Sequence, residues 1–257
     1  MMRMIRASAT LLIAVQAACW ISGSPAVQAA SATMLTVTPM KLTFDNESRS
    51  AAVTVRNDGQ ENITGRVAIF EWSQDAAGRD DYHETEDIVY FPKVMTLAEG
   101  EQRIIRLGYQ GEMPAREKAY RLIIGVPSDA GHGAFRPGER AAMADLTIFA
   151  HPAVLQAGAL LEQVALAKSA LTVVVRNAGN VHLLVTAVSV RGVAADGHEA
   201  FSREIAGSYV LGGAFRSFGA LVPQEDCGKL SHMDIQVITD SFQLNRTLNV
   251  RKDMCAP

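Results

Sequence analysis

The sequence predicts an all-β protein built from two immunoglobulin-like β-sandwich domains. Short β-branched runs separated by turn residues fill most of the chain, and no stretch after its first residues is both long and helix-periodic. One strand motif also occurs twice. Val53-Thr54-Val55-Arg56-Asn57-Asp58-Gly59 is echoed by Val173-Val174-Val175-Arg176-Asn177-Ala178-Gly179. Each copy is a β-branched run closed by Asn-x-Gly, which reads as strand then turn. The echo fits two related modules better than one long barrel.

The chain opens with Arg3 and Arg6 and no acid, followed by an apolar run from Ala9 to Ile21. Gly23, Pro25 and the small-x-Ala triplet Val27-Gln28-Ala29 complete the pattern of a secretory signal, residues 1–29. The run is too short for a membrane span. A lipoprotein reading at Cys19 is disfavoured by Gln16, which stands where an apolar residue is wanted. Cleavage after Ala29 leaves Ala30–Pro257, enough for two sandwiches of about 100 residues each, 30–151 and 152–257. Loss of Arg3 and Arg6 moves the formal charge from -3 to -5, which offers no footprint for nucleic acid or anionic membrane. No later segment is expected to insert into a membrane. Cys227 and Cys255 remain, and two cysteines in an exported chain are most simply one disulfide.

In the first domain the expected strands are Met34–Phe44, Ala51–Asn57, Gly65–Trp72, Ile88–Val94, Gln102–Leu107, Ala119–Val126 and Ala142–Ala150. Val53 with Val55, and Val67 with Ile69, show the period of two of a half-buried strand. In the second domain they are Leu171–Arg176, Leu183–Val190, Phe201–Ile205, Tyr209–Leu211, Phe215–Leu221, Ile235–Ile238 and Leu244–Val250. His151-Pro152 joins the two without a Gly/Ser linker, so a fixed inter-domain angle is expected. Ser128–Ala141, with three glycines and Pro137, is long for a sandwich loop and lies directly before the last strand of the first domain.

Signatures of catalysis are absent from the sequence. The six histidines show no metal-ligand spacing, and no Gly-rich phosphate loop, G-x-S-x-G or C-x-x-C occurs. Asp80-Asp81 with His83 and Glu84 reads as a solvated turn beside Gly78. The expectation is a non-enzymatic protein with no cofactor and no metal.

Three stretches then carry a resemblance. The first is Leu35–Phe44 followed by Ala51–Gly59. The second is Phe91-Pro92, Leu97 to Gly100, then Gln102-Arg103-Ile104-Ile105-Arg106-Leu107. The third is Glu117-Lys118-Ala119-Tyr120-Arg121-Leu122-Ile123-Ile124, Val126-Pro127, a loop and a final strand closing on Pro152. In this order they resemble the periplasmic pilus-assembly chaperones of the chaperone-usher system. Phe70-Glu71-Trp72-Ser73-Gln74-Asp75 and Ala119-Tyr120-Arg121 lean towards the archaic branch of that family.

The resemblance implies two sandwiches in a bent (boomerang) arrangement, a periplasmic location, pilus or fimbrial subunits as clients and an outer-membrane usher as second partner. The client lacks one strand, and the chaperone supplies it by β-augmentation. The resemblance assigns this donor role to the last strand of the first domain, where Ala142, Ala144, Leu146, Ile148 and Ala150 share one parity. It also implies a basic anchor for the client's terminal carboxylate. Lys41 matches a position where the family more often has Arg, whereas Thr147 stands at the usual second position, a lysine. Arg121 and Arg106, expected on neighbouring strands, are the candidate substitutes. Glu117 and His151 match an inter-domain ion pair, with His in place of the usual Arg. The rival reading is a non-enzymatic envelope-binding or adhesive β-sandwich, with no apolar edge strand and no usher.

Overall fold

The computed structural model describes residues 35–125 and 142–255. The expected signal segment and the loop Ser128–Ala141 lie outside the described residues, as does the side chain of Ala142. The first sandwich is formed by β1 (Leu35–Thr38), β2 (Lys41–Phe44), β3 (Ser50–Asn57), β4 (Ile63–Gln74), β5 (Asp80–Glu84), β6 (Ile88–Phe91), β7 (Val94–Leu97), β8 (Gln102–Tyr109), β9 (Lys118–Gly125) and β10 (Ala142–Ala150). One sheet has the order β1-β3-β8-β6; the other runs β2-β10-β9-β4-β5, with β7 also paired to β4.

The second sandwich comprises β11 (Ala159–Ala167), β12 (Ala170–Asn177), β13 (Leu183–Ala194), β14 (Glu199–Ala206), β15 (Tyr209–Val210), β16 (Phe215–Leu221), β17 (Leu230–Thr239) and β18 (Gln243–Asn249). The sheet β11-β12-β16 faces the sheet β14-β13-β17-β18, to which β15 is attached. Two four-residue helical turns, α1 (Gln224–Cys227) and α2 (Lys252–Cys255), are joined by the Cys227–Cys255 disulfide.

Alternation builds each core. Val53 and Val55 on β3, Ile105 and Leu107 on β8, and Leu122 and Ile124 on β9 point between the sheets of the first sandwich. Val173 and Val175 on β12, Val188 and Val190 on β13, and Ile235 and Val237 on β17 fill the second. The repeated Asn-x-Gly has one physical meaning in both copies. Asn57 is fully buried; its Nδ2 donates to the carbonyls of Glu61 (2.7 Å) and Leu97 (3.2 Å), and its Oδ1 accepts the Gly59 N–H at 2.9 Å. Asn177 donates to Val181 (2.7 Å) and Val210 (2.8 Å) and accepts from Gly179 at 2.9 Å. Each asparagine satisfies backbone groups at a buried corner that no ladder reaches.

Four expectations about elements change, the first being Ile88–Val94, which divides at Pro92 into β6 and β7 in different sheets. The run Met34–Phe44 is two strands, because Pro39 has no N–H to continue a ladder. β1 pairs antiparallel with β3, and after Pro39 the chain crosses to the other sheet, where β2 pairs in parallel with β10. Asp80–Glu84 is an edge strand rather than a turn; its polarity reflects exposure on both faces. Ala159–Ala167 is a strand that escaped notice because its alanines have weak β-propensity and a register shift at Leu161/Gln163 interrupts its alternation.

Candidate functional site

β10 organises the site. Its second half, Thr147–Ala150, is paired on both sides, with β9 and with β2. The β2 ladder begins where the Thr147 N–H donates to the Met40 carbonyl at 3.2 Å. Upstream of that bond, Ala142–Leu146 pairs with β9 alone among the described residues. Among the described residues one edge of this segment therefore carries no ladder, and its outward N–H and C=O groups have the geometry to pair with a further strand.

The parity assigned to a donor strand divides along its length. Leu146, Ile148 and Ala150 are 1%, 0% and 0% exposed and belong to the sandwich's own core. Ala144 lies only partly buried at its margin. From Leu146 onward the inward parity of β10 thus fills the core of its own sandwich.

The opposite parity of β10 carries the charge. Thr147 is in register with Lys41 on one side and Arg121 on the other. The three residues form a row across the sheet, with two cations astride a hydroxyl. Arg121 Nη1 donates to Thr147 Oγ1 at 2.8 Å, its guanidinium lies 4.7 Å over the Trp72 ring, and Asp145 is 3.7 Å away. Its Nε is the only buried side-chain nitrogen or oxygen without a hydrogen-bond partner among the described residues. The aromatic face holds the guanidinium in place, and the side chain keeps 22% of its surface exposed beside Thr147. Lys41 is exposed at the other end of the row.

Arg106 is not part of this row. It lies on β8 in the opposite sheet, exposed, in register with Ala52 and Phe91. β8 and β9 are successive in the chain, but the connection between them passes from one sheet to the other, so closeness in sequence misled.

Where the two sandwiches meet, Trp72, Ala119, Phe149 and Leu211 form a small apolar cluster with Tyr209 and Ala214 at its margin. Gln74 binds both polar groups of the facing backbone, donating to the Tyr209 carbonyl and accepting the Leu211 N–H, each at 3.0 Å. Asp80 accepts from Trp72 Nε1 and pairs with Arg216. Gly78 (φ +73°) closes the turn between β4 and β5, and a Cβ there would stand 2.5 Å from the Phe215 carbonyl oxygen.

Glu117 and His151 meet at this joint, His151 Nε2 lying 3.1 Å from Glu117 Oε2. A third member comes from the second sandwich. His182 Nδ1 lies 2.9 Å from Glu117 Oε1, and the His182 backbone N–H donates to the same oxygen at 2.8 Å. Burial pushes the Glu117 carboxyl up, but the hydrogen bonds from the two histidines outweigh it and hold the group below its ordinary value. The sequence marks His182 only as a histidine five residues beyond the repeated asparagine; nothing in that spacing points across the joint.

Fold and site together define a class, a pair of immunoglobulin-like sandwiches whose first member ends in a half-covered strand flanked by cations. Residues 34–154 match the model of the N-terminal domain of the pili and flagellar-assembly chaperones, PapD type. Residues 34–154 thus carry the N-terminal domain of that chaperone family. Its fold is similar to that of an archaic chaperone bound to a tip adhesion subunit, CsuC-CsuE from the Csu pili of Acinetobacter baumannii. That match has 19% identity and a TM-score of 0.53, and covers 83% of this chain and 97% of the other. It is also similar to the YadV chaperone, with 12% identity, a TM-score of 0.51 and coverage of 84% and 98%. No curated protein matches the chain by sequence. Among the described residues no helix is long and apolar enough to cross a membrane.

Proposed function

We propose that the chain, exported by cleavage after Ala29, works in the periplasm by donating the open edge of β10 to an incomplete pilus or fimbrial subunit and passing it to an outer-membrane usher. One observation carries the reading: the edge of β10 that pairs with nothing among the described residues ends at the row Lys41–Thr147–Arg121, two cations astride a hydroxyl. A subunit strand laid along that edge places its terminal carboxylate between the two cations. Arg121 supplies the planar fork, and Lys41 a point charge. Main-chain bonds along Ala142–Leu146 give affinity that tolerates many client sequences, and Ala144, half-buried at the core's margin, faces the client. Leu146, Ile148 and Ala150 keep the strand rooted in its own domain. The transfer needs no nucleotide, because strand addition both holds and releases the client. The action is binding, not catalysis.

Co-expression in a periplasm with a subunit encoded beside the gene, followed by capture of the complex, tests this. Arg121→Ala with Lys41→Ala is expected to fold and to lose most of the captured subunit, with Arg121→Lys between the two. Undiminished capture by the double variant removes the anchor. Leu146→Ala serves as the contrast, since a core cavity costs about 2–5 kcal/mol of stability without touching the row.

A further inference from the structure

We propose that Glu117, His151 and His182 form a binding site for a borderline divalent metal ion of the zinc type, which clasps the two sandwiches together. Glu117 immediately precedes β9, His151 immediately follows β10, and His182 immediately precedes β13 in the second sandwich. Their ligand atoms, one carboxylate oxygen and two imidazole nitrogens, all lie within 4.8 Å of one another. His182 Nδ1 and His151 Nε2 lie 3.0 and 3.1 Å from the same oxygen, Glu117 Oε2, close to the ~3.3 Å between donors on a tetrahedral zinc with ~2.0 Å bonds. Two histidines and a glutamate with a fourth position open to water is a donor set that zinc accepts.

The electrostatics favour a cation there. The Glu117 side chain is 1% exposed, and among the described residues its ion-pair partners are the two histidines alone. The cations beside it in the chain make other contacts: Lys118 pairs with Asp87 at 2.8 Å, and Arg116 lies against Gly213. A buried carboxylate with no fixed positive charge beside it is costly. A dication bound to it and to two neutral imidazoles removes that cost. On binding, each imidazole turns a lone pair to the metal at Nδ1 of His182 or Nε2 of His151, and its proton resides on the other ring nitrogen. The second layer is already in place. Phe149 stacks on the His182 ring at 3.8 Å with the planes 8° apart, and Tyr209 meets its edge at 5.5 Å, so the ring is fixed before an ion arrives. The other histidine–carboxylate contacts, His83 with Asp81, His198 with Asp196 and His232 with Asp234, are more exposed pairs on single strands or turns and join no two domains.

The test uses untagged full-length mature protein stripped with a chelator and titrated with Zn²⁺ and with Co²⁺. One equivalent is expected to bind, with a cobalt absorption spectrum of four-coordinate type and a thermal midpoint that rises with Zn²⁺ and falls back on chelation. His182→Gln and His151→Gln are each expected to weaken binding by at least about tenfold, while His198→Gln leaves it unchanged. Wild-type affinity in both of the first two variants, or no binding by wild type, overturns the proposal. If those variants do not fold, X-ray absorption of the zinc-loaded wild type decides. Scattering from two imidazoles supports the site, and scattering from none rejects it. The outcome is independent of subunit capture, which depends on Lys41 and Arg121.

Discussion

The two sandwiches share a corner and differ in how they treat their last strand. Asn57 and Asn177 sit at equivalent turns, buried to the same degree and hydrogen-bonded in the same way. The first sandwich leaves the start of its final strand, β10, paired on one side. In the second sandwich the last strand, β18, is an edge strand paired with β17 alone along its whole length, and the chain after it returns through α2 to a disulfide and to the Ser169 backbone, whose N–H donates to the Met254 carbonyl at 3.0 Å. The first module thus covers the end of its last strand with β2, whereas the second leaves that strand at an edge and ties down the chain after it with a disulfide. The frame is shared, and the treatment of the last strand differs.

The largest effect expected from breaking this contrast is at the disulfide. Replacing Cys227 and Cys255 by serine frees a loop of 28 residues and should cost about 3–4 kcal/mol on the chain-entropy model. Denaturant unfolding followed separately by Trp72 fluorescence and by amide exchange in β17 should show the loss in the second sandwich and little change in the first. An equal loss in both would mean that they unfold as one cooperative unit.

A smaller and symmetrical effect is expected at the shared corner. Asn57→Ala and Asn177→Ala each strand buried carbonyls, at about 1–3 kcal/mol apiece. Similar values from thermal melts would establish that the motif does the same work twice. A large difference would show that one corner is relieved by water and the other is not.

The smallest concerns Asp87, which belongs to the first sandwich. Burial raises its carboxyl, but the Lys118 ammonium at 2.8 Å and the Tyr120 hydroxyl at 2.7 Å more than compensate, and the group sits below its ordinary value of 3.8. A depressed folded value means that the contribution is complete above pH 3.8 and is lost as pH falls through the folded value. Asp87→Asn should therefore flatten the acid limb of the first sandwich's stability curve and cost about 1 kcal/mol or less near neutrality. An acid limb unchanged in the variant would place the proton uptake elsewhere.

Much of this contrast was legible in the sequence, and what was missed has physical causes. Periodicity and the Val-x-Val-x-Asn-x-Gly echo indicated the sandwiches because burial on one face writes itself as alternation. It says nothing about which sheet a strand joins, and so it does not separate Arg106 from Arg121, although the chain crosses from one sheet to the other between β8 and β9. Parity placed Leu146 and Ile148 on an apolar face correctly, but period two does not distinguish a face buried in its own domain from one reserved for a client. β5 was hidden by exposure and β11 by alanine. The Glu117–His151 contact was suggested by family order, whereas His182 joins it from a distant strand start that only the folded chain brings near.

Pro39 gives the open edge a measure. Because the chain must leave the first sheet there, β2 starts at Lys41, and Met40 supplies the first carbonyl to β10, at Thr147. Among the described residues every rung before that bond pairs with β9 alone, and every rung after it is paired on both sides. The proline thus acts as the stop on a ruler. Moved two residues earlier, it would lengthen β2 by about one rung pair and shorten the berth by the same amount, and the cations at Lys41 and Arg121 would no longer mark its end. The length of strand that this chain can lend is written not in β10 but in a ring closure on the neighbouring strand's approach.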